Sequence, residues 1–278
     1  MNAIKSMKLY THVDRIENEL AALGKAPGDS LSVDELSAFD QLHYHGTDAL
    51  DHALEQLAAT AGQRWLEVGS GIGGPARYLA WRGGLEITAL ELQSDQHEQA
   101  RSLTRRVGLE PAIDHVCGDF LEHDFADARF DAVVSWLALY HIPERARLLG
   151  RCHQLLRAGG RFYAEDLFAR GNIDDDQLAD LERDLYAITL PDFDAYQGDL
   201  ERAGFVVETI DDMTDDWADF TQTRLAEFRA AAERHRRVHG DDTVQALDDF
   251  YSAVDYHFQS GKLGGIRVCA RRVEEGRE

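Results

Sequence analysis

The segment Arg64-Trp-Leu-Glu-Val-Gly-Ser-Gly-Ile-Gly-Gly-Pro limits the fold of this chain more than any other feature. A short apolar strand runs into a turn rich in glycine over residues 69–74, and Pro75 then suits the first turn of a helix. Glycine lets the backbone approach a ligand closely, and the start of a helix offers free N–H groups. The segment therefore predicts a nucleotide-like cofactor at the edge of an open α/β sheet.

Two cofactor classes fit this turn. Gly69-x-Gly71-x-x-Gly74 matches the dinucleotide fingerprint, and Glu91 follows at about the spacing of a carboxylate that binds a ribose hydroxyl. The same turn, taken as Glu67-x-Gly69-x-Gly71-x-Gly73, also resembles the first motif of the class I S-adenosylmethionine (SAM) methyltransferases. The glycines alone do not distinguish the two classes.

Composition excludes several kinds of partner. The net charge is −22, with 51 acidic against 29 basic residues, which disfavours nucleic acid and anionic lipid. Cys117, Cys152 and Cys269 lie far apart, so neither a disulfide framework nor a zinc site is expected. The sequence has neither an apolar run of membrane-spanning length nor a signal-peptide pattern. We expect a cytoplasmic protein whose partner is a small molecule; its oligomeric state stays open.

Apolar strands alternate with helical segments through the middle of the chain. Strands are expected at residues 64–68, 85–90, 113–116, 130–135 and 161–165, with helices at 75–81, 94–107 and 143–157. Two further strands are expected at residues 204–210 and 264–270. This alternation predicts an α/β fold with a seven-stranded, mostly parallel, Rossmann-like sheet and helices on both faces.

Three helical segments are expected to cover the cofactor edge of the sheet. Residues 1–60 predict a helical cap, with a helix at 4–20, a capping box at Ser32 and Glu35, and a third helix capped by Thr47 or Asp48. Residues 61–278 are then the main domain, with helical insertions at about 168–200 and 214–260. The cap and the insertions would form a lid over the ligand.

Five motifs within residues 60–272 resemble the class I SAM-dependent methyltransferases. They are the glycine-rich turn and the segments Thr88-Ala-Leu-Glu-Leu, Cys117-Gly-Asp-Phe, Phe130-Asp-Ala-Val-Val-Ser-Trp and Leu156-Arg-Ala-Gly-Gly. An NAD-dependent dehydrogenase would account for only the first two, so the resemblance implies SAM as the cofactor. It also implies an antiparallel last strand. Within the class, the chain is most similar to small-molecule enzymes of the sarcosine/dimethylglycine and phosphoethanolamine N-methyltransferase type.

The resemblance implies a place for each part of SAM. The glycine-rich turn and Glu67 would receive the amino-acid tail, Glu91 the two ribose hydroxyls, and Asp119 the adenine amino group. Trp136 and Leu137 would line the cofactor near the methyl group. The expected cofactor-binding set is Glu67, Gly69, Gly71, Gly73, Glu91, Leu92, Asp119, Phe120 and Trp136.

Methyl transfer requires the acceptor to be held in line with the methyl group, and an amine acceptor must also lose a proton. His141, Glu165 and Asp166 are the expected catalytic residues. His43, Tyr44, His45 and Tyr140 are expected to contact the acceptor. No acid or cysteine stands at ligand spacing from His43-x-His45, so no metal is expected.

These groups favour an amine nitrogen of a small polar metabolite as the acceptor. A hydroxyl, thiol or thioether acid stays open as an alternative. Two other classes also stay open, an NAD(P)-dependent oxidoreductase and a protein that binds SAM without catalysis.

Overall fold

The computed structural model describes residues 12–126 and 129–273, which form seven strands and eleven α-helices. The strands are β1 (Arg64–Val68), β2 (Glu86–Glu91), β3 (Ile113–Cys117), β4 (Phe130–Trp136), β5 (Leu156–Ala169), β6 (Phe205–Asp212) and β7 (Leu263–Arg272). The helices are α1 (Arg15–Ala22), α2 (Val33–Ser37), α3 (Gly46–Gln56), α4 (Gly74–Gly83), α5 (Ser94–Arg106), α6 (Arg145–Leu155), α7 (Asp175–Leu185), α8 (Phe193–Arg202), α9 (Thr214–Ala230), α10 (Ala232–His239) and α11 (Asp241–Gln259). No helix within these ranges is both long enough and apolar enough to cross a membrane.

All seven strands form one sheet in the order β3-β2-β1-β4-β5-β7-β6. The first five strands pair in parallel, whereas β7 is antiparallel to both β5 and β6. The predicted α/β sheet and its antiparallel last strand are therefore confirmed. The chain leaves β1 in one direction and returns to its other side as β4, and such a reversal opens a crevice at the carboxyl ends of the strands.

The central strands are buried on both faces, as their continuous apolar runs indicate. In β1, Leu66 and Val68 pack into the cluster that contains Phe162. Trp65, one residue earlier, points to the opposite face and packs with Tyr163. Helices cover both faces, and the carboxyl edge of the sheet leaves space for a ligand at the glycine-rich turn.

Two predicted helix starts were wrong where a residue adopts the left-handed backbone. The third helix is not capped by Thr47 or Asp48, since it begins at Gly46 behind His45, whose φ is 56°. Helix α6 begins at Arg145 rather than at Pro143 because Glu144 has a φ of 59°. By contrast, the predicted capping box of Ser32 and Glu35 is present at the start of α2.

Two further boundaries differ from the sequence prediction. The fifth strand continues beyond residues 161–165, because β7 pairs with β5 as far as Ala169. The expected helix at 4–20 begins at Arg15 within the described residues, and positions 4–11 lie outside them. The division into a cap of residues 1–60 and a main domain stays a prediction.

Candidate active site

Two cavities lie at the carboxyl edge of the sheet, one on each side of the glycine-rich turn. The outer cavity has a volume of about 1130 Å³ and the inner cavity one of about 780 Å³, and both are partly open to solvent. Gly69, Gly71 and Ala138 line both, so the two cavities meet there. Of the predicted site residues, Glu91, Leu92, Asp119, Phe120 and His141 line the outer cavity, and His43, Tyr44, Glu67, Trp136 and Tyr140 line the inner one.

The junction of the cavities requires glycine at position 69. Gly69 has a φ of +75°, and a Cβ atom added there would lie 2.3 Å from the Cβ of Ala138. Gly73 also has a positive φ, but its missing side chain would meet Arg77, His115 and Ala100. Gly73 therefore permits helix packing, and the structure does not place it in either cavity lining.

The outer cavity has the polar groups that a ribose and an adenine require. The Glu91 carboxylate accepts the N–H of Gln93 at 2.8 Å and that of Gly71 at 2.9 Å, and burial raises its pKa. A carboxylate oxygen with one such bond keeps a further lone pair for a hydroxyl group. Asp119 lines the same cavity, and its Oδ1 accepts the N–H of Leu121 at 2.9 Å. These positions fit the predicted nucleoside contacts.

The inner cavity contains a buried carboxyl group with one unpartnered oxygen. Glu67 is 2% exposed, and its Oε2 has no hydrogen-bond partner. Burial raises the pKa of this carboxyl group to about 8. A buried carboxylate without a partner is costly, and a cation beside it removes that cost. The ammonium group of the SAM amino-acid tail is such a cation, so this residue fits the cofactor.

A buried ion pair positions the wall opposite the glycine-rich turn. Arg77 of α4 donates to Asp40 Oδ2 at 2.8 Å, and Gln41 donates to Asp40 Oδ1 at 2.8 Å. The carbonyl oxygen of Asp40 lies so close to Gly74 that a Cβ there would approach it to 2.3 Å. The segment before α3 is thus fixed on the start of α4, which brings His43 and Tyr44 to the inner cavity.

His43 and His141 are both neutral near pH 7, because burial lowers each pKa to about 4. His43 Nδ1 lies 3.0 Å from the carbonyl oxygen of Tyr44, and its Nε2 lies 3.1 Å from Gln41 Oε1. His141 Nδ1 lies 2.9 Å from the carbonyl oxygen of Tyr186, to which it donates in the matching tautomer. His45 lines neither cavity, because its Nε2 bonds Asp216 of α9 at 2.7 Å.

The structure does not bring Glu165 or Asp166 into either cavity lining. Glu165 accepts hydrogen bonds from Tyr163 and Arg267, each at 2.9 Å. Asp166 accepts the Tyr196 hydroxyl at 2.9 Å and the N–H of Tyr140 at 3.2 Å. The expectation of free carboxylates here assumed that β5 ends at this point. Because the strand continues to Ala169, both side chains lie on its covered faces instead.

Leu137, predicted with Trp136 to line the cofactor, lies in the inner cavity, and so does Arg224, which was not predicted. Leu137 has a φ of 54°, an uncommon conformation for a residue with a branched side chain, at the turn that ends β4. Arg224 reaches the cavity from α9. No local sequence pattern distinguishes an arginine in a long charged helix from a solvated one, so only the tertiary structure reveals it.

Comparisons with known proteins agree with this geometry. A family model for a methyltransferase domain matches residues 66–164. The methyltransferase GfsG of Streptomyces halstedii is 30% identical over 64% of this chain and 66% of its own length. A sarcosine/dimethylglycine N-methyltransferase of Halorhodospira halochloris is 30% identical over 54% of this chain and 53% of its own length. A 24-methylenesterol C-methyltransferase of Oryza sativa is 34% identical over 40% of this chain and 31% of its own length. The chain thus spans between about a third and two thirds of these relatives.

Solved structures share the fold. Phosphoethanolamine N-methyltransferase 2 of Haemonchus contortus, in complex with phosphomonomethylethanolamine and S-adenosylhomocysteine, has a TM-score of 0.79 at 16% identity and covers 98% of this chain and 60% of its own. The cyclase SpnF has a TM-score of 0.70 at 19% identity, and the match covers 96% of this chain and 95% of that chain. Family match, sheet order and cavity geometry together place this chain in the class I SAM-dependent methyltransferases.

Proposed function

We propose that this chain transfers the methyl group of SAM to a small organic metabolite held in the inner cavity. SAM supplies a methyl group bonded to a positively charged sulfur. The observation that carries the proposal is the buried Glu67 carboxyl group, whose Oε2 has no partner, in a cavity that meets a second one at the glycine-rich turn. The outer cavity has nucleoside-binding groups, and the inner one would hold the end of the SAM tail at Glu67 together with the acceptor.

The residues divide the binding between the two cavities. Glu91 holds the ribose, and Asp119, Phe120 and Leu92 surround the adenine in the outer cavity. Gly69 leaves room for the amino-acid tail to pass towards Glu67. The acceptor then lies among His43, Tyr44, Trp136 and Tyr140. This arrangement places the acceptor on the far side of the junction from the nucleoside, as in-line transfer requires.

An amine nitrogen is the acceptor atom that we propose first. Trp136, Tyr44 and Tyr140 present aromatic rings to the inner cavity, and such rings stabilise a methylated ammonium product. The amine must bind as the neutral base, since the two buried histidines are too weakly basic to deprotonate an ammonium ion. A low-polarity cavity and the nearby Arg224 cation both favour that neutral form.

Hydroxyl, thiol and thioether acids are the second candidates, and Arg224 is the observation that favours them. A guanidinium group in the acceptor cavity attracts an anionic metabolite whichever atom is methylated. Pools of amines, hydroxy acids and thiols therefore belong in the same assay.

Two measurements test the proposal. Calorimetry should give heat with S-adenosylhomocysteine (SAH) and none with NADH, and a labelled-methyl assay over pooled acceptors should give product. Heat from NADH alone would instead favour an oxidoreductase. Binding of SAH without product from any pool would favour a SAM-binding protein that does not catalyse methyl transfer.

A further inference from the structure

Arg224 is a cation without an acidic partner. Among the described residues, no carboxylate lies within ion-pair distance of its guanidinium group, and its Nε has no hydrogen-bond partner. The guanidinium carbon lies 5.1 Å from the ring centre of Tyr44, 4.6 Å from that of Tyr251 and 5.5 Å from that of Phe220. In a chain with 51 acidic and 29 basic residues, an arginine surrounded by rings instead of acids requires an explanation.

The other charged groups of the inner cavity do not neutralise Arg224. Asp40 is paired with Arg77, and Glu67 lies by the glycine-rich turn, where the amino-acid tail fits. Trp136, which is 6% exposed and lines the same cavity, has an indole N–H without a partner. The unused polar groups on the acceptor side are therefore hydrogen-bond donors, and an anionic group would satisfy them.

Arg224 also lies where the inner cavity meets a third cavity. This third cavity of about 1100 Å³, partly open to solvent, shares Leu42, His43, Arg224 and Phe250 with the inner one. Its wall is formed largely by apolar and aromatic side chains of α1, the segment before α3, α9 and α11, namely Ile16, Phe39, Phe220, Phe228, Leu247 and Tyr251. Glu19 is its one described acidic residue, and that carboxylate is bonded to Arg234 and His239. A molecule that entered by this route would pass the guanidinium group before it reached the glycine-rich turn.

We infer that Arg224 is the anion-binding residue of the acceptor site, and that the acceptor carries a carboxylate or phosphate group. The inference rests on the proposed function and narrows its substrate class. A guanidinium group binds either anion through two parallel hydrogen bonds, which fixes orientation as well as charge. The acceptor would be anchored at Arg224 with its methylated atom directed towards the junction of the inner and outer cavities.

The test compares Arg224→Gln with wild type and with Arg229→Gln, which removes the same charge from an exposed, ion-paired position on the same helix. SAH is titrated first into each protein. Acetate and inorganic phosphate are then titrated separately into each SAH-loaded protein, and thermal melts check that each variant is folded. We expect all three proteins to bind SAH with the same affinity. We expect Arg224→Gln to bind one of the two anions roughly 10- to 100-fold more weakly than wild type and Arg229→Gln, because it lacks one charged hydrogen-bonding group.

The outcomes distinguish a carboxylate acceptor, a phosphorylated acceptor and the absence of an anion site at Arg224. Preference for acetate indicates a carboxylate acceptor, and preference for phosphate a phosphorylated one. Equal anion binding by all three proteins, or none by wild type loaded with SAH, would overturn the inference and leave methyl transfer itself intact. Absence of SAH binding by wild type would instead overturn the proposed function. Arg224→Lys separates geometry from charge, because it keeps the cation and loses the paired donors, so we expect intermediate binding.

Discussion

Four buried carboxylates at the carboxyl edge of one sheet have two different surroundings. Glu67 and Glu91, on β1 and β2, line the cavities, and an oxygen of Glu67 lacks a partner. Glu165 and Asp166, on β5, line neither cavity and accept hydrogen bonds from side chains of the fold, although Oε2 of Glu165 also lacks a partner. Position at the edge is therefore not enough to identify a ligand-binding acid, because the continuation of the strand and the available partners decide what each carboxylate does.

The largest effect, on the free energy of unfolding, should come from removing Asp166, one of the two carboxylates on β5. Asp166→Ala leaves the Tyr196 hydroxyl and the Tyr140 N–H without their acceptor and removes a carboxylate that lies 3.8 Å from buried Arg145. We expect the free energy of unfolding to fall by about 3–5 kcal/mol, as for other broken buried pairs. Denaturant unfolding measures it, and SAH affinity of the folded fraction should be unchanged.

The exposed acid Asp194, on α8, provides the control for this prediction. Asp194→Ala should change the free energy of unfolding by less than about 0.5 kcal/mol. If Asp166→Ala kept full stability and lost methyl transfer, Asp166 would belong with the ligand-binding pair and the contrast would be wrong.

Glu91→Ala should give the next largest effect, on ligand affinity instead of stability. The variant loses the proposed ribose contacts together with the acceptor of the Gly71 N–H, so the glycine-rich turn loses an anchor. We expect the SAH dissociation constant to rise on the order of 100-fold, as measured by calorimetry. Glu86→Ala, at the exposed start of the same strand, should leave it unchanged.

Glu67→Gln and Glu165→Gln sharpen the comparison, since both replace a buried carboxylate by an amide of similar shape. At about pH 8, Glu67→Gln should weaken SAH binding roughly 10-fold, because the ammonium group loses its counter-charge. Glu165→Gln should leave SAH affinity unchanged and lower the melting temperature. Equal loss of affinity in both variants would show that burial alone accounts for the effect.

The smallest expected effect is a pH dependence of SAH affinity that arises from ionisation of the Glu67 carboxyl group. Its pKa is about 8 without ligand, so below that pH the carboxyl group is protonated and must release its proton to bind an ammonium group. SAH affinity should therefore rise with pH towards 8, by at most about tenfold per pH unit. The profile of Glu67→Gln should be flat over the same range, and a wild-type profile equally flat would remove the proposed contact.

Much of the fold could be predicted from the sequence because its signals are local. The apolar run of β1 gave both of its boundaries, and the capping box at Ser32 located α2. The end of β5 could not be predicted, because it depends on pairing with β7 about a hundred residues later in the chain. The same distance separated Glu165 from Arg267, so its role could not be inferred from sequence spacing.

The site follows the same division. The positions of Glu67 and Glu91 beside the cavities follow from a motif in which strand, turn and helix are contiguous. Arg224 lies over the ring of Tyr44, and lines the same cavity as His43, because two segments that are remote in the chain fold together. The sequence therefore predicted residues that line both cavities, but tertiary structure was needed to show that Arg224 joins them.

The contact between Asp40 and Arg77 has a consequence for how such a protein changes specificity. It fastens a short stretch of chain, which carries His43 and Tyr44, onto the helix that follows the glycine-rich turn. That stretch contributes no group to the outer cavity. Substitutions in this stretch can therefore change the acceptor that the enzyme binds and leave the outer cavity unchanged, provided that Asp40 and its ion pair with Arg77 are retained.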